Sequence, residues 1–388
     1  MVSFDNTEIA FESKSNTELT KAYLLFKFIG NKSLVSLSKP FAGIAVRIPF
    51  PFKYMIKETI FSHFCGGENI RDCEATIAHL RKYHVHTILD YSVEGKETEA
   101  DFDKTTDEII DTQERAAIDD AIPFNVFKLT GIARFALLEK VSAGEKLTEI
   151  EQNELELVRE RVERICKKAM EVDRSVMMDA EESWIQPIMD DLMLEMMLKY
   201  NKEKAIVYNT FQMYRHDRLS KLKEMHEKAV KHNFYLGVKL VRGAYMEKER
   251  KRASEMNYES PIQKDKTDTD KDYNDALEFI ANNIARVAVC VGSHNEKSSM
   301  YMTELMEEFS IPKSSSNVYF SQLLGMSDHI SFNLSKAGYN VAKYVPYGPV
   351  KDVLPYLIRR ADENTSVAGQ TSRELMLLNK EKKRRVGI

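Results

Sequence analysis

The amino-acid sequence predicts a parallel α/β barrel, and two observations carry that expectation. From His86 onward, short apolar and β-branched runs alternate with amphipathic or charged stretches, and no hairpin turn joins any two of them. Eight such runs fall within roughly 280 residues, which suits a (β/α)8 TIM barrel. A doubly wound parallel sheet satisfies the same alternation and stays open at this level.

Taken in order, residues 1–85 read as an N-terminal helical arm. Ser15-Asn16-Thr17-Glu18 fits a capping box ahead of an apolar helix that runs to Ile29. Pro40, Pro49 and Pro51 make the apolar stretch around Phe41–Phe52 a poorly periodic connection, after which helical spacing resumes over Lys57–Phe64 and Ile70–Tyr83. Strands are expected at His86–Ser92, Phe124–Thr130, Ser175–Ala180, Lys204–Thr210, Tyr235–Val241, Arg286–Val291, Asn317–Leu323 and Asn340–Tyr344, placing the barrel within residues 86–372. Gly144–Lys168 reads as a structural Glu/Arg-rich helix with i,i+4 pairs such as Glu160–Arg164. Tyr258–Asp272 reads as a loop before a helix at Tyr273–Ala285, and 373–388 as a basic, frayed tail.

Composition narrows the function classes. With 388 residues, 43% hydrophobic and 30% charged, the chain can bury a substantial core. A formal net charge of −4 argues against a nucleic-acid partner. Cys65, Cys73, Cys166 and Cys290 lack CxxC spacing, which favours a reducing compartment. No stretch approaches the ~18 apolar residues of a membrane span. Asp5, Glu8, Glu12 and Glu18 are too acidic for a mitochondrial presequence, so the expected location is cytoplasmic.

Chemistry concentrates in a few places. Tyr356, Arg359 and Arg360, three and four residues apart, share one side of a helix that follows the tyrosine-lined strand and Pro/Gly turn Lys343–Pro349. Two adjacent guanidiniums form a clamp for a carboxylate or phosphate; a solvated basic face is the plainer alternative. The expected strand ends carry Glu94, Lys128, Asp179, Asn209, the run Lys239–Tyr245, Ser293-His294-Asn295, Leu323 and Tyr344, and barrel enzymes place their chemistry at such ends. Lys128 closes an apolar strand and needs a charge partner, for which Asp179 is the natural candidate. With no GxGxxG or P-loop, a nucleotide would be held without a Rossmann turn. Gly243 and Ala244 would let backbone approach a flat ring closely.

The run Tyr344–Glu363, together with Lys239-Leu240-Val241-Arg242-Gly243-Ala244-Tyr245, resembles proline dehydrogenase of the single-function, eukaryotic-type branch. The similarity extends from about Asp5 to about Glu374. It implies a distorted barrel holding FAD non-covalently across the strand ends, with the last helix over the barrel mouth. On the substrate side it implies that Lys128, Arg359 and Arg360 bind the carboxylate of L-proline. Leu323, Tyr344 and Tyr356 would line its ring, with Ala244 and Tyr245 nearby. Asp179, Asn209, Lys239, Val241, Arg242, Gly243, Ala244, Ser293, His294 and Glu363 fall on the flavin-side positions. Lys239 stands where many bifunctional bacterial members have arginine, and Asn209 where they have glutamine. The implied reaction is hydride transfer from proline C5 to flavin N5, giving pyrroline-5-carboxylate, with a membrane quinone as the next electron acceptor. Peripheral contact at the inner face of the membrane would use the Ala22–Ile29 helix and the basic tail, although a docked helix and a solvated tail explain both.

Other residues carry weaker claims. His84 and His86 share a face but have no carboxylate or cysteine cluster close in sequence, so they read as a helix-to-strand junction and no metal site is assigned. Trp184 reads as packing. Two rivals share the clamp: a hydroxyproline dehydrogenase, and a catalytically retired barrel that senses proline.

Overall fold

A computed structural model of the chain describes residues 2–29, 57–93, 97–353, 356–357 and 370–387. Eight parallel strands close into a barrel in chain order: β1 Val85–Tyr91, β2 Phe124–Lys128, β3 Ser175–Asp179, β4 Val207–Gln212, β5 Leu236–Val241, β6 Val287–Gly292, β7 Val318–Leu323 and β8 Val341–Tyr347. This confirms the (β/α)8 expectation over the doubly wound sheet. Two compact units make up the chain, Gly95–Ser321 and the pair of segments Met1–Glu94 and Gln322–Ile388.

In the unit Gly95–Ser321 the apolar runs become strands because both faces are covered. Every residue of β4 is buried. Side chains from non-neighbouring strands meet inside: Phe124 on β2 sets its ring edge-to-face against Tyr208 on β4 at 5.4 Å and Tyr319 on β7 at 4.8 Å. Gly237 on β5 makes room for them, since a Cβ there would stand 2.3 Å from the Val207 carbonyl oxygen and 2.7 Å from the Tyr208 ring.

Strand and helix starts depart from the sequence expectation where side chains hold backbone. β4 begins at Val207, not Lys204, because the Asn201 amide accepts from the N–H of Ile206 and of Val207 and donates to the Val207 carbonyl, pinning 201–206 as a turn. The segment read as a loop before Tyr273 is already helical from Lys266, because Asp265 caps it, accepting from the N–H of Thr267 at 2.7 Å and Asp268 at 3.1 Å. The helix Glu149–Glu171 forms an intrahelical i,i+4 pair at Lys167–Glu171, 3.9 Å, but Arg164 of the expected Glu160–Arg164 pair reaches Asp107 at 2.6 Å on the helix Glu99–Ala117.

In the other unit β1 and β8 pair in parallel, with Ile88 opposite Tyr344. The expected box at the first long helix forms: Glu18 accepts from the Ser15 N–H and hydroxyl at 2.8 and 2.7 Å, and Ser15 accepts from the Glu18 N–H at 3.2 Å. His84 takes the left-handed conformation of a junction residue, with φ +56°. The basic tail is not frayed. Residues Gln370–Arg385 form a helix whose Leu377 and Leu378 are buried against Ala10, Phe11, Leu19, Ala22 and Phe26. Its cations are structural, since Arg384 and Arg385 bond the buried Glu381, and Arg385 also donates to the Phe11 and Lys14 carbonyls at 2.8 Å.

A buried charge cluster fastens this unit. Asp328 lies 3.0 Å from Lys14 and 2.8 Å from Lys343, which also donates to the Met326 carbonyl at 2.5 Å. Burial alone would raise the Asp328 carboxyl, but the two ammoniums hold it well below the usual carboxylate range. A depressed folded-state pKa contributes stability above the unfolded value, and that contribution disappears as pH falls through the folded one. Asp328→Asn should therefore unfold more easily than wild type at neutral pH, with the gap narrowing below about pH 4. Urea midpoints measured from pH 7 to 3 check this, and a gap constant across the range would place the charge elsewhere.

Candidate active site

Register and strand alternation bring the first set of functional side chains together. Lys128 stands opposite Asp179 across β2 and β3, and Thr210 opposite Lys239 across β4 and β5. All four therefore face inward at the C-terminal end of this part of the barrel. The Asp179 carboxylate lies 2.5 Å from Lys239 Nζ through one oxygen and 3.5 Å from Lys128 Nζ through the other. Two ammoniums on one carboxylate leave a positive surplus at the strand ends, which suits an anionic group. The sequence suggested the Lys128–Asp179 pair. It did not show that Lys239 is the closer partner, although counting alternate residues along β5 from Gly237 reaches it.

After β5 the chain turns through Arg242-Gly243-Ala244-Tyr245 into the helix Met246–Met256. Arg242 is locked: Nε donates to Asp270 at 2.7 Å, its two terminal nitrogens donate to Ser293 and Ser298 at 2.9 Å each, and the guanidinium covers the Tyr273 ring at 4.3 Å. This joins the loop after β5 to Ser293 beyond β6, whose hydroxyl also accepts from the Asn295 N–H at 3.0 Å. His294 between them is half-buried. Gly243 has φ +134°, and both it and Ala244 are exposed. The loop thus offers bare backbone beside two cations, Lys239 and Arg242.

Asn209 does not join this set. It alternates with Tyr208 and Thr210 and so faces the helices, where its amide donates to Asp190 at 2.8 Å. Asp190 is also held by Arg218, at 2.7 and 2.9 Å, in a buried network. The inward polar residue of β4 is Gln212, which bonds the Glu181 carbonyl and the Ala244 N–H. Glu181 is a second residue that sequence reasoning passed over. Burial pushes its carboxyl up to about 7, against two hydrogen bonds from Thr130. Trp184 is packing, as expected, flanked by Arg252 at 4.4 Å and Phe135 at 6.5 Å.

In the other unit, Tyr356 is buried in an apolar cluster with Phe61, Phe64, Met326, Val353 and Leu357, and Leu323 packs against it. Tyr344 is buried on β8. Glu94, Arg359, Arg360 and Glu363 lie outside the described residues.

A parallel (β/α)8 barrel with a lysine–aspartate–lysine set and an open glycine loop at its strand ends has the form of a barrel enzyme, with positive charge and bare backbone where such enzymes place their chemistry. The model of the family described as proline dehydrogenase matches residues 73–373, and the chain belongs to that family. It is accordingly an oxidoreductase. Among its relatives, the mitochondrial proline dehydrogenase 1 of Dictyostelium discoideum is 33% identical over 98% of this chain and 75% of its own length. Hydroxyproline dehydrogenase of Xenopus laevis is 32% identical over 97% of this chain and 89% of its own. Among solved structures, proline utilization A of Bdellovibrio bacteriovorus, inactivated by N-propargylglycine, superposes with a TM-score of 0.78 at 18% identity. The match covers 97% of this chain and 44% of that one, so this chain spans less than half of the solved protein and the likeness concerns the fold.

The cytoplasmic expectation is overturned by the proline dehydrogenase relatives, which carry a mitochondrial designation. Three of the four acidic N-terminal residues that suggested it have structural work instead. Asp5 pairs with Arg373 at 2.9 Å, Glu8 with Arg384 at 3.3 Å, and Glu18 caps its helix. Their charge reports docking of the N-terminal segment.

Proposed function

We propose that this chain oxidises L-proline to 1-pyrroline-5-carboxylate, the first step of proline degradation to glutamate, with FAD as its cofactor. Membership of the proline dehydrogenase family across 73–373 is the observation that carries this reading. FAD fits the residues present. The exposed backbone at Gly243 and Ala244 suits the flat ring, and Lys239 and Arg242 supply positive charge. Asp179, Val241, Ser293, His294 and Glu363 complete the set that would hold it. Asn209 is left out, because its side chain is engaged with Asp190. When bound, the flavin supplies the hydride-accepting chemistry.

The chain's own residues bind and orient. Lys128, Arg359 and Arg360 hold the proline carboxylate, and Leu323, Tyr344 and Tyr356, with Ala244 and Tyr245, enclose the ring. Fixing the ring in one orientation is the proximity contribution to rate. A quinone would be the acceptor of the electrons. Peripheral membrane contact would use the exposed Leu24 (58%) and Phe28 (42%) of the helix Asn16–Ile29; among the described residues no helix is long and apolar enough to cross a membrane.

Substrate choice tests the reading. A phenol beside the ring leaves little space for an added oxygen, yet packing alone rejects a hydroxyl only by about 100-fold. Wild type should therefore prefer proline to trans-4-hydroxyproline, and Tyr344→Ser should lose proline activity while that preference narrows. Competing steady-state assays read both. A wild type that favours hydroxyproline would replace this reading with hydroxyproline dehydrogenase.

A further inference from the structure

Lys128 sits 3.5 Å from Asp179, a loose contact, while the other oxygen of Asp179 is held by Lys239 at 2.5 Å. Asp179 alone therefore does not set where the Lys128 ammonium stands. The backbone just beyond Lys128 is held more firmly. Glu181 is buried, and both its carboxyl oxygens are used by Thr130: the N–H at 3.1 Å and the hydroxyl at 2.6 Å. Thr130 is two residues past Lys128, and Glu181 is two residues past Asp179.

The same residue is tied to the next strands. The Glu181 carbonyl accepts from Gln212 Nε2 at 2.7 Å, and Gln212 Oε1 accepts from the Ala244 N–H at 3.4 Å. One path of hydrogen bonds thus runs from the end of β2 through those of β3 and β4 to the loop after β5. It ends on Ala244, one of the residues proposed to meet substrate and cofactor, and neither Glu181 nor Gln212 belongs to that set.

We propose that Glu181 is a positioning residue: by clamping Thr130 it fixes Lys128 at the place where the substrate carboxylate binds. This rests on the reading that Lys128 binds that carboxylate. Glu181 acts through Lys128 and the loop it holds. Its loss should therefore weaken substrate binding more than it slows the bound enzyme.

Glu181→Ala should raise KM for proline about tenfold, the scale of losing a charge-assisted hydrogen bond, with kcat within about threefold of wild type. Flavin per protein should be unchanged. Glu181→Gln keeps an acceptor oxygen for Thr130 and should return KM to within about threefold of wild type. The decisive comparison is the cycle with Lys128→Met, where Glu181→Ala should add no further rise in KM because the group it positions is gone. Should Glu181→Ala fail to fold, Thr130→Val removes only the hydroxyl donor and replaces it in the same cycle. An unchanged KM in Glu181→Ala, or an equal rise in both backgrounds, overturns the proposal. An unchanged KM in Lys128→Met alone instead overturns the carboxylate reading beneath it.

Discussion

Asp179→Ala is expected to give the largest loss of any single substitution in the site, in stability and activity together. The carboxylate serves two ammoniums, and the side chain of Lys239 is only 9% exposed. Removing the partner of a buried charge typically costs about 3–5 kcal/mol, because the remaining charge is left in a poorly solvating environment. Here two lysines are left facing each other, so repulsion adds to desolvation. Urea unfolding should show a loss at the low end of that range or above, since Lys128 retains some solvent. Flavin per protein should fall in parallel, and proline turnover by at least about 100-fold, the equivalent of ~2.7 kcal/mol. Adding Lys239→Met to Asp179→Ala removes the orphaned charge and should recover stability without recovering turnover. An Asp179→Ala protein with wild-type stability, full flavin and normal turnover would remove this residue from the site.

Gly243→Ala should produce the second large effect, and for a different reason. With φ at +134° the residue occupies a region that is essentially restricted to glycine. A Cβ would also stand 2.4 Å from the Tyr214 ring, which is itself buried. Backbone strain of about 1–3 kcal/mol and overpacking of similar size act on the same loop. The loop is anchored on both sides, by Arg242 to Asp270, Ser293 and Ser298, and by the Tyr214 N–H to the Arg242 carbonyl at 2.7 Å, so it cannot shift cheaply. The expected result is a folded protein purified with less than about a tenth of the wild-type flavin. Tyr214→Ala in the same chain should restore part of it, since that relieves the overlap and leaves the strain. Full flavin occupancy in Gly243→Ala would show that the loop tolerates a side chain and does not lie against the cofactor.

The strands were legible because near-continuous Val, Ile, Phe and Leu runs report burial on both faces, and burial on both faces is what a parallel barrel imposes. Their starts were less so. Lys204 looks like the beginning of a strand until Asn201 pins the backbone ahead of it, and that is a side-chain contact with no periodicity. In the site, Lys128 and Asp179 could be paired because each closes an apolar run at the same level. Asn209 was misplaced by the same reasoning: closeness to a strand end does not say which face a residue occupies, and alternation from Tyr208 turns it outward. Glu181 was hidden between Asp179 and Glu182, since sequence does not distinguish a carboxyl that holds backbone from two that meet cations. The C-terminal helix was obscured by its own charge, because four cations in its last turn read as solvation, whereas Leu377 and Leu378 are buried against the N-terminal helices and Arg385 bonds the Phe11 and Lys14 carbonyls.

A barrel that oxidises proline in this way holds a flavin that proline reduces. The purified protein, kept free of oxygen, should show the oxidised flavin absorbance band and lose it on addition of L-proline, with Lys128→Met needing a higher proline concentration for the same bleaching. A protein that carries no flavin, or one whose flavin band is untouched by saturating proline, would contradict it.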